Sequence, residues 1–370
     1  MLSEGRVDRC LEEQPDMVRA ARTAQIARDF FIFNVFGYKD NQNPIEKIGI
    51  FVGEILFAMD NYQIRRCLYS AHDLYDAFDP SDEASYAKCY DARIYADVLQ
   101  DGKRSRALAV TLPRTLHEHS ISTALFSFLE DWAPADVVGV MGGHAMRRSD
   151  PSFRKVALVS KALTERGKLM VSGGGPGAME ATHFGAWMAG RSTAELDDAL
   201  GMLSAADTFA DKGWLSTAFR VKERFPQEKY QSLGIPTWLY GHEPPTPFAT
   251  HIAKYFDNSI REDNILTIAV GGIIFSPGSA GTLQEVFQEA AQDHYRSCDV
   301  SSPIVFFGKE FWTKTVPLYP FLHSLMESGF YKDLLLSIHD SVDGIVNELM
   351  SFSPDMPSHI QKERLSKKLQ

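Results

Sequence analysis

The chain has 370 residues, of which 44% are hydrophobic and 23% are charged. This is ordinary globular composition, which excludes collagen-like, coiled-coil and wholly disordered proteins, and the length predicts about two domains. The net charge of −10 disfavours a nucleic-acid polymer as partner, because proteins that bind such polymers are usually basic. An anionic ligand would have to be held by local features rather than by the overall field.

The cysteines and the N-terminal sequence predict a cytoplasmic protein. Four cysteines are scattered along the chain, none with CxxC spacing: Cys10, Cys67, Cys89 and Cys298. A chain of this size does not need disulfides for stability, so a reducing compartment fits best. The first 25 residues are charged and lack the apolar core of a signal peptide. No run of about 18 apolar residues occurs, so we expect no membrane-spanning helix.

In chain order, the first predicted elements carry no chemical motif. Residues 29–35 are apolar and aromatic, and residues 48–59 are typical of a buried helix or a strand leading into a helix. Residues 106–112 are predicted to form a strand that Pro113 ends. We interpret residues 1–130 as a mostly helical N-terminal region.

From about residue 131, short apolar runs alternate with amphipathic stretches. Strands are predicted at 137–141, 168–171, 236–240, 272–275 and 303–307. Helices are predicted at 153–166, 176–190, 248–261 and 282–295. This alternation predicts an α/β domain over residues 131–350, with a Rossmann-like, doubly wound parallel sheet. Residues 192–234 are expected to form a mostly helical insertion, and residues 351–370 a solvated tail.

The first glycine loop, SGGGPG at residues 172–177, comes where a predicted strand ends and a helix begins. Glycines there let the backbone approach a ligand closely, and the free N–H groups at the helix start favour an anion. Its candidate binding residues are Gly173, Gly174, Gly175 and Gly177. Alone the signal is weak, because a glycine-rich turn can also be required by packing.

The second loop, PGSAGT at residues 277–282, also follows an apolar strand and opens a helix. Two such loops in one parallel sheet would bring two helix N-termini to its carboxyl edge, where doubly wound folds bind ligands. Its candidate phosphate-binding residues are Gly278, Ser279, Ala280, Gly281 and Thr282. Gly142, Gly143 and His144 follow the first strand and are candidates for the edge of a base pocket.

Glu285 is the candidate catalytic carboxylate, one helical turn from the anion site. Breaking a ribosyl C–N bond develops positive charge on the sugar, which a nearby carboxylate stabilises while it orients or deprotonates a water. The alternative is a capping box, because Glu285 lies three residues after Thr282, which could cap the helix.

The two motifs SGGGPGAMEA and PGSAGTLQE together resemble the LOG-type nucleotide phosphoribohydrolases, often labelled "lysine decarboxylase". The resemblance covers roughly residues 136–347 and is interrupted by the insertion at 192–234. It implies hydrolysis of the N-glycosidic bond of a nucleoside 5′-monophosphate to free base and ribose 5-phosphate. The implied reaction requires no metal and no cofactor, and the resemblance suggests a homodimer. The family's arginine before the second loop matches Arg261, whose alternative role is a surface ion pair with Glu262 or Asp263.

Two departures from the family pattern leave other functions open. Ser279 replaces the second glycine of the family's P-G-G-x-G-T motif, which would cost energy if that position needs positive φ. The insertion could cover the base pocket, so the base preference is not transferred from shorter members. A non-catalytic nucleotide-binding or sensing protein is the main alternative.

A dinucleotide-dependent oxidoreductase is a further alternative, because Gly173, Gly175 and Ala178 fit G-x-G-x-x-A. That reading needs an acidic residue at the end of the next strand, and only Glu195, Asp197 and Asp198 lie near the required spacing.

Two polar clusters carry weaker signals. His117-Glu118-His119 lacks the H-E-x-x-H spacing of a zinc site. The turn after Tyr240 contains His242 and Glu243, which could contact a ligand at the carboxyl edge.

Overall fold

The computed structural model describes residues 64–297 and 299–354. The predicted segments 29–35 and 48–59, Cys10, Cys298 and the tail beyond residue 354 lie outside this range. Cys67 is exposed and Cys89 is buried. No helix among the described residues is long and apolar enough to cross a membrane.

The described strands form one seven-stranded sheet with every pair parallel. They are β1 (Val137–Met141), β2 (Leu169–Ser172), β3 (Ser232–Gly234), β4 (His251–Ile252), β5 (Ile273–Phe275), β6 (Pro303–Phe307) and β7 (Leu335–His339). The order across the sheet is β4-β3-β2-β1-β5-β6-β7. This is the predicted α/β, Rossmann-like doubly wound class.

The strand order reverses at β1. The chain moves outward from β1 through β2 and β3 to β4, then returns to the other side of β1 for β5. Gly139 in β1 is in register with both Val171 of β2 and Ile273 of β5. Parallel sheets bind ligands at such a reversal, outside the carboxyl ends of the strands.

The helices are bounded as follows: α1 (Ala71–Leu74), α2 (Tyr90–Asp101), α3 (Leu108–Leu129), α4 (Pro151–Glu165), α5 (Ala178–Trp187), α6 (Thr193–Leu203), α7 (Trp214–Arg224), α8 (Asn258–Ile268), α9 (Ala280–Tyr295), α10 (Leu318–Glu327) and α11 (Val342–Ser351). Short 3-10 helices lie at Glu83–Lys88, Pro134–Asp136 and Trp238–Tyr240, and a π-helical turn lies at Phe311–Thr315.

The core lies between the sheet and its helices. β1, β2, β3, β5 and β6 are buried along their whole length, as expected for parallel strands covered on both faces. Phe153 of α4 and Phe184 of α5 pack with ring centroids 6.3 Å apart. A Cβ at Gly185 would overlap the carbonyl oxygen of Ala157, so glycine permits the close approach of these two helices.

Two strand predictions fall on helical residues. Residues 108–112 form the start of α3, which continues through Pro113 rather than ending there. Pro113 lies in the second turn, where it removes one hydrogen bond, and the buried residues Ile121 and Leu125 further along support the helix. The predicted strand 236–240 begins instead at Ser232 and ends at Gly234. Pro236 has no N–H to donate to a ladder, and residues 238–240 form a short helical turn.

The predicted helix 248–261 is wrong over residues 248–257. His251 and Ile252 form the short strand β4, which pairs with β3 and also forms a bridge with Tyr69. Helix α8 begins only at Asn258, because Asp257 caps it by accepting a hydrogen bond from the N–H of Ser259 at 3.0 Å.

Other boundaries also differ from prediction. Strand β7 was not predicted, because its residues are exposed or half-buried at the sheet edge and lack a uniform apolar signature. α5 begins at Ala178, so Pro176 precedes the helix instead of opening it. The segment 192–234 contains α6 and α7 and ends in β3, so its last residues belong to the sheet.

The described residues belong to two compact units. Residues 64–67 and 101–125 belong to one unit, and residues 68–100 and those from 126 onward belong to the other. The second unit contains the whole sheet and all the residues of the candidate site.

Candidate active site

The loop after β1 joins the two glycine loops. Gly143 donates its N–H to the carbonyl of Pro277 at 3.1 Å, and its own carbonyl accepts the N–H of Ala178 at 3.1 Å. Gly142 fits between Ser276 and Ala178, where a Cβ would overlap the Ser276 hydroxyl and lie 2.7 Å from the Ala178 methyl. The ends of β1, β2 and β5 therefore meet in one place.

Packing accounts for two glycines of the first loop. Gly174 has φ 67° and its Cβ would lie 3.1 Å from the Cα of Gly234. Gly177 has φ 71°, and a Cβ there would overlap the Gly143 carbonyl. Both positions favour glycine through backbone conformation and through close contact. Packing alone therefore explains glycine at Gly174 and Gly177, without any need for a ligand.

His183 supports the first loop from within α5. Its Nε2 lies 2.9 Å from Ser172 Oγ and its Nδ1 lies 3.0 Å from Ser232 Oγ. Ser172 Oγ also accepts the N–H of Gly174 at 3.2 Å. Burial lowers the pKa of His183 to about 3, so the ring is neutral at physiological pH. No motif in the sequence pointed to this residue.

The second loop provides an open helix N-terminus. Ser279 is the N-cap residue of α9, with φ −108°, and its side chain makes no capping hydrogen bond. Serine is therefore unstrained where the family has glycine, because the position does not need positive φ. Ser279, Ala280 and Gly281 are exposed, and the first-turn N–H groups of a helix lack partners within it. The loop can present these donors to a phosphate.

Thr282 lies over Gly278 within this loop. A Cβ at Gly278 would overlap the Thr282 hydroxyl and lie 2.6 Å from the Thr282 Cβ. Thr282 is the third residue of α9 and is buried. It does not cap the helix, so the capping-box alternative for Glu285 is excluded.

Arg261, on α8, reaches the first glycine loop. Its Nη1 would lie 2.7 Å from a Cβ at Gly173, and its Nη2 donates to Glu262 Oε1 at 3.0 Å. The predicted alternative, an ion pair with Glu262, is therefore present, but it is largely buried, with side chains 11% and 13% exposed. Arg261 Nε is buried and has no acceptor among the described residues.

Glu285 is buried on α9 beside this pair. Burial raises its pKa to about 7, the Arg261 guanidinium opposes that rise, and the Glu262 carboxylate adds to it. Gln284 bridges to the same neighbour by donating to Glu262 Oε2 at 3.1 Å. Sequence reasoning missed Glu262 as a site residue, although its position next to Arg261 was a usable signal.

The turn after Tyr240 contributes a second carboxylate. Glu243 Oε2 would lie 3.8 Å from a Cβ at Gly175, while its Oε1 lies 4.0 Å from His144 Nε2 and 3.7 Å from His242 Nε2. Glu243 is mostly buried and the two histidines are about half exposed. The expected proximity of this turn to the carboxyl edge is correct.

The structure thus brings together Gly142, Gly143, Gly173, Gly177, Pro277, Arg261 and Glu285 through the contacts described above. The free N–H groups of Ala280, Gly281 and Thr282 belong to the same second loop. Gly175 and His144 both lie close to Glu243, which faces the first loop.

The weaker signals lie elsewhere. Burial lowers the pKa of His117 to about 3, and no group of three or more metal-ligating side chains occurs among the described residues. Glu195, Asp197 and Asp198 all lie on α6 rather than at a strand end. Glu195 closes a capping box with Ser192, and the two aspartates pair with arginines. None of these three residues is the acidic residue at a strand end that the oxidoreductase alternative needs.

Comparisons with known proteins identify no family. No protein-family model matches the sequence, and no curated protein is significantly similar to it. Among solved structures, the molybdenum cofactor carrier protein from Chlamydomonas reinhardtii is 16% identical, with a TM-score of 0.36. The match covers 58% of this chain and 98% of that one. The fold class above therefore rests on the topology of the sheet itself.

Proposed function

We propose that this protein hydrolyses the N-glycosidic bond of a nucleoside 5′-monophosphate, releasing a free base and ribose 5-phosphate. The observation that carries the proposal is Glu285, a buried carboxyl next to Arg261 at the point where the strand order reverses. A carboxyl in that position has a chemical use, because bond cleavage develops positive charge on the ribose. The resemblance of both glycine loops to LOG-type enzymes supports the same reaction.

Each residue has a distinct part in the proposed reaction. The N–H groups of the second loop and the Ser279 hydroxyl bind the 5′-phosphate, with Thr282 and Gly278 shaping the loop. Arg261 holds phosphate or ribose hydroxyls with its planar set of donors. Anchoring the remote phosphate positions C1′ against Glu285.

The carboxylate form of Glu285 is the active form. It stabilises the oxocarbenium-like sugar and takes a proton from the attacking water, whose oxygen bonds to C1′ as the C1′–N bond breaks. Burial, which raises the pKa of Glu285 to about 7, makes it a stronger base than an exposed glutamate. The step as written uses groups of this chain and water alone.

The setting of the reaction is also part of the proposal. We propose a cytoplasmic homodimer acting on a small nucleotide, without a nucleic-acid polymer or membrane as partner. The acidic net charge and the scattered cysteines favour this setting. The homodimer follows from the family resemblance.

A panel of purine and pyrimidine nucleoside monophosphates, scored for ribose 5-phosphate, tests the proposal. We expect release from at least one substrate, and a loss of at least about 10²-fold in kcat for Glu285→Gln. Arg261→Gln should raise KM. His119→Gln, a change in the other compact unit, is the control. No release from any monophosphate would disprove the proposal.

The second candidate is nucleotide binding without catalysis. It is favoured by the engagement of Arg261 with Glu262 at 3.0 Å, which competes with its use on a substrate. In that case nucleotides would raise Tm while remaining intact after long incubation.

A further inference from the structure

A cavity of about 280 Å³ lies beside the first glycine loop. Pro176 and Gly177 form one side of it, residues 144–147 after β1 form another, and residues 207–210 with Trp214 close it. Its volume is near the lower end of the range of about 300–1000 Å³ for ligand pockets. Its closing wall comes from the segment 192–234, which the family resemblance does not cover.

Two rings at this cavity can contact a planar ligand. Phe209 is half-buried, and its ring meets that of His144 edge to face, with centroids 6.4 Å apart and planes at 67°. Trp214 is nearly buried and carries the Arg148 guanidinium 4.8 Å from its ring centroid. Phe209 is thus the aromatic side chain with free surface for stacking.

The closing wall is fixed to the loop after β1. The carbonyl of Asp207 accepts the N–H of Arg148 at 3.0 Å, and Asp207 Oδ1 accepts the N–H of Ser149 at 2.7 Å. Arg147 forms an ion pair with the same carboxylate at 3.4 Å. A ligand therefore meets a wall that is already ordered.

His144 lines this cavity, and Glu243 lies next to the His144 ring without lining the cavity itself. His144 Nε2 lies 4.0 Å from Glu243 Oε1, which is within ion-pair range for a protonated ring but beyond hydrogen-bonding distance, so we assign the other ring nitrogen, Nδ1, to the ligand. Glu243 also faces His242, which is not among the residues that line the cavity. A carboxylate behind an imidazole is a common way to hold its orientation.

We propose that the cavity holds the nucleobase against Phe209 and that His144, positioned by Glu243, donates a proton to the base as it departs. This inference rests on the proposed nucleotide hydrolysis and adds the group on the leaving side. A purine or pyrimidine anion is a poor leaving group, so protonation of a ring nitrogen lowers the barrier.

The step balances with the chemistry at Glu285. The C1′–N bond breaks and its electron pair goes to the base nitrogen, which takes the Nδ1 proton of the His144 imidazolium. The water oxygen bonds to C1′, and the water proton goes to Glu285. Proton exchange with solvent then returns both groups to their starting states. The sum is nucleotide plus water giving base plus ribose 5-phosphate.

The test compares two leaving groups on the wild type and on three variants. One substrate is the monophosphate that wild type cleaves best, and the other is nitrophenyl riboside 5′-phosphate, whose leaving group departs without protonation. We expect His144→Gln to lower kcat on the monophosphate by about 10²-fold or more, with little change on the nitrophenyl substrate. Glu243→Gln should show the same selectivity to a smaller extent, since it acts through His144.

The matched control is His242→Gln, which removes the other histidine beside Glu243 and should leave both activities unchanged. Equal losses on both substrates for His144→Gln, or no loss on either, would overturn the acid role. Phe209→Ala should raise KM for the monophosphate, and an unchanged KM would overturn the stacking role. Failure of the proposed function is distinct, because it appears in the wild type as no release from any monophosphate.

Discussion

Arg148 and Glu180 form a fully buried ion pair directly beneath the first glycine loop. Arg148 Nε donates to Glu180 Oε2 at 3.0 Å, Nη2 donates to Oε1 at 2.5 Å, and both side chains are 1% exposed. The remaining donors bind carbonyls of Leu203, Ala206 and Trp214 and the hydroxyl of Thr217. One guanidinium thus joins α5 to the wall of the cavity.

Removing Arg148 should strongly destabilise the fold. Arg148→Met leaves the Glu180 charge buried without its partner, so we expect a loss of about 3–5 kcal/mol in the free energy of unfolding. Urea denaturation measures it. Arg147→Met is the matched control, because the Arg147 side chain is 68% exposed and its ion pair with Asp207 contributes at most about 1 kcal/mol. Equal losses for the two variants would contradict the role assigned to the buried pair.

Activity should rise with pH through the titration of Glu285. Burial raises the pKa of this group to about 7, and the proposed reaction uses its ionised form. On the nitrophenyl substrate, whose leaving group needs no acid, we therefore expect kcat to increase from about pH 5, to reach half of its plateau near pH 7, and to level off above. Steady-state rates across this range measure it. A rate that falls with rising pH through 7 would contradict a carboxylate as the base.

The same residue should make the fold less stable at high pH. Its pKa is about 7 in the folded state and about 4.5 when exposed, so the folded state binds more protons between these values. The contribution to stability is complete below about pH 4.5 and is lost as pH rises through 7. Glu285→Gln should therefore equal wild type in Tm near pH 4.5 and exceed it at pH 8. Thermal melts at both pH values test this, and a lower Tm of the variant at pH 8 would refute it.

Gly278 and Gly281 should differ sharply in their tolerance of alanine. Gly278→Ala places a methyl onto Thr282, whereas a methyl at Gly281 meets nothing within 4 Å. We expect a loss of about 1–3 kcal/mol for Gly278→Ala and no loss for Gly281→Ala, which also gains helix propensity. In the background of Thr282→Ala, the Gly278 substitution should cost less, since the two residues are in contact. Strict additivity would argue against the contact.

Ser279 should contribute to ligand binding rather than to helix stability. It is the N-cap of α9 without a capping hydrogen bond, while Ser192 caps α6 in a complete capping box. Ser192→Ala should therefore cost about 1 kcal/mol and Ser279→Ala only a few tenths. Under the proposed function Ser279→Ala raises KM for the nucleotide. Chemical denaturation and kinetics of the two variants separate the roles.

The parts of the fold that could be predicted from sequence are those where local signals agree. Five buried strands were expected from apolar runs that precede glycine, and four of them were located correctly, because such strands need no information from distant residues. β4 and β7 could not be found this way. β4 has only two residues, and it gains its partners from β3 and from Tyr69, far away in the chain.

Proline misled the prediction in two opposite ways. Pro113 was taken to end a strand, although α3 passes through it, and Pro236 was taken to open a strand that had already ended at Gly234. In the site, the two glycine motifs predicted Glu285 and the meeting of the loops, and the family resemblance pointed to Arg261. His183 and the cavity wall at Phe209 depend on tertiary packing, so no local pattern identified them.

The two hydrogen bonds of Gly143 have a consequence for ligand affinity. A single peptide segment ties the loop that would hold phosphate to the start of α5 and to the cavity beside it. The loops therefore lose little conformational entropy when a nucleotide binds, so more of the free energy of the contacts appears as binding affinity. The same tie means that a shift on the phosphate side is transmitted to the base side. We therefore expect substitutions in either loop to change base selectivity and phosphate affinity together.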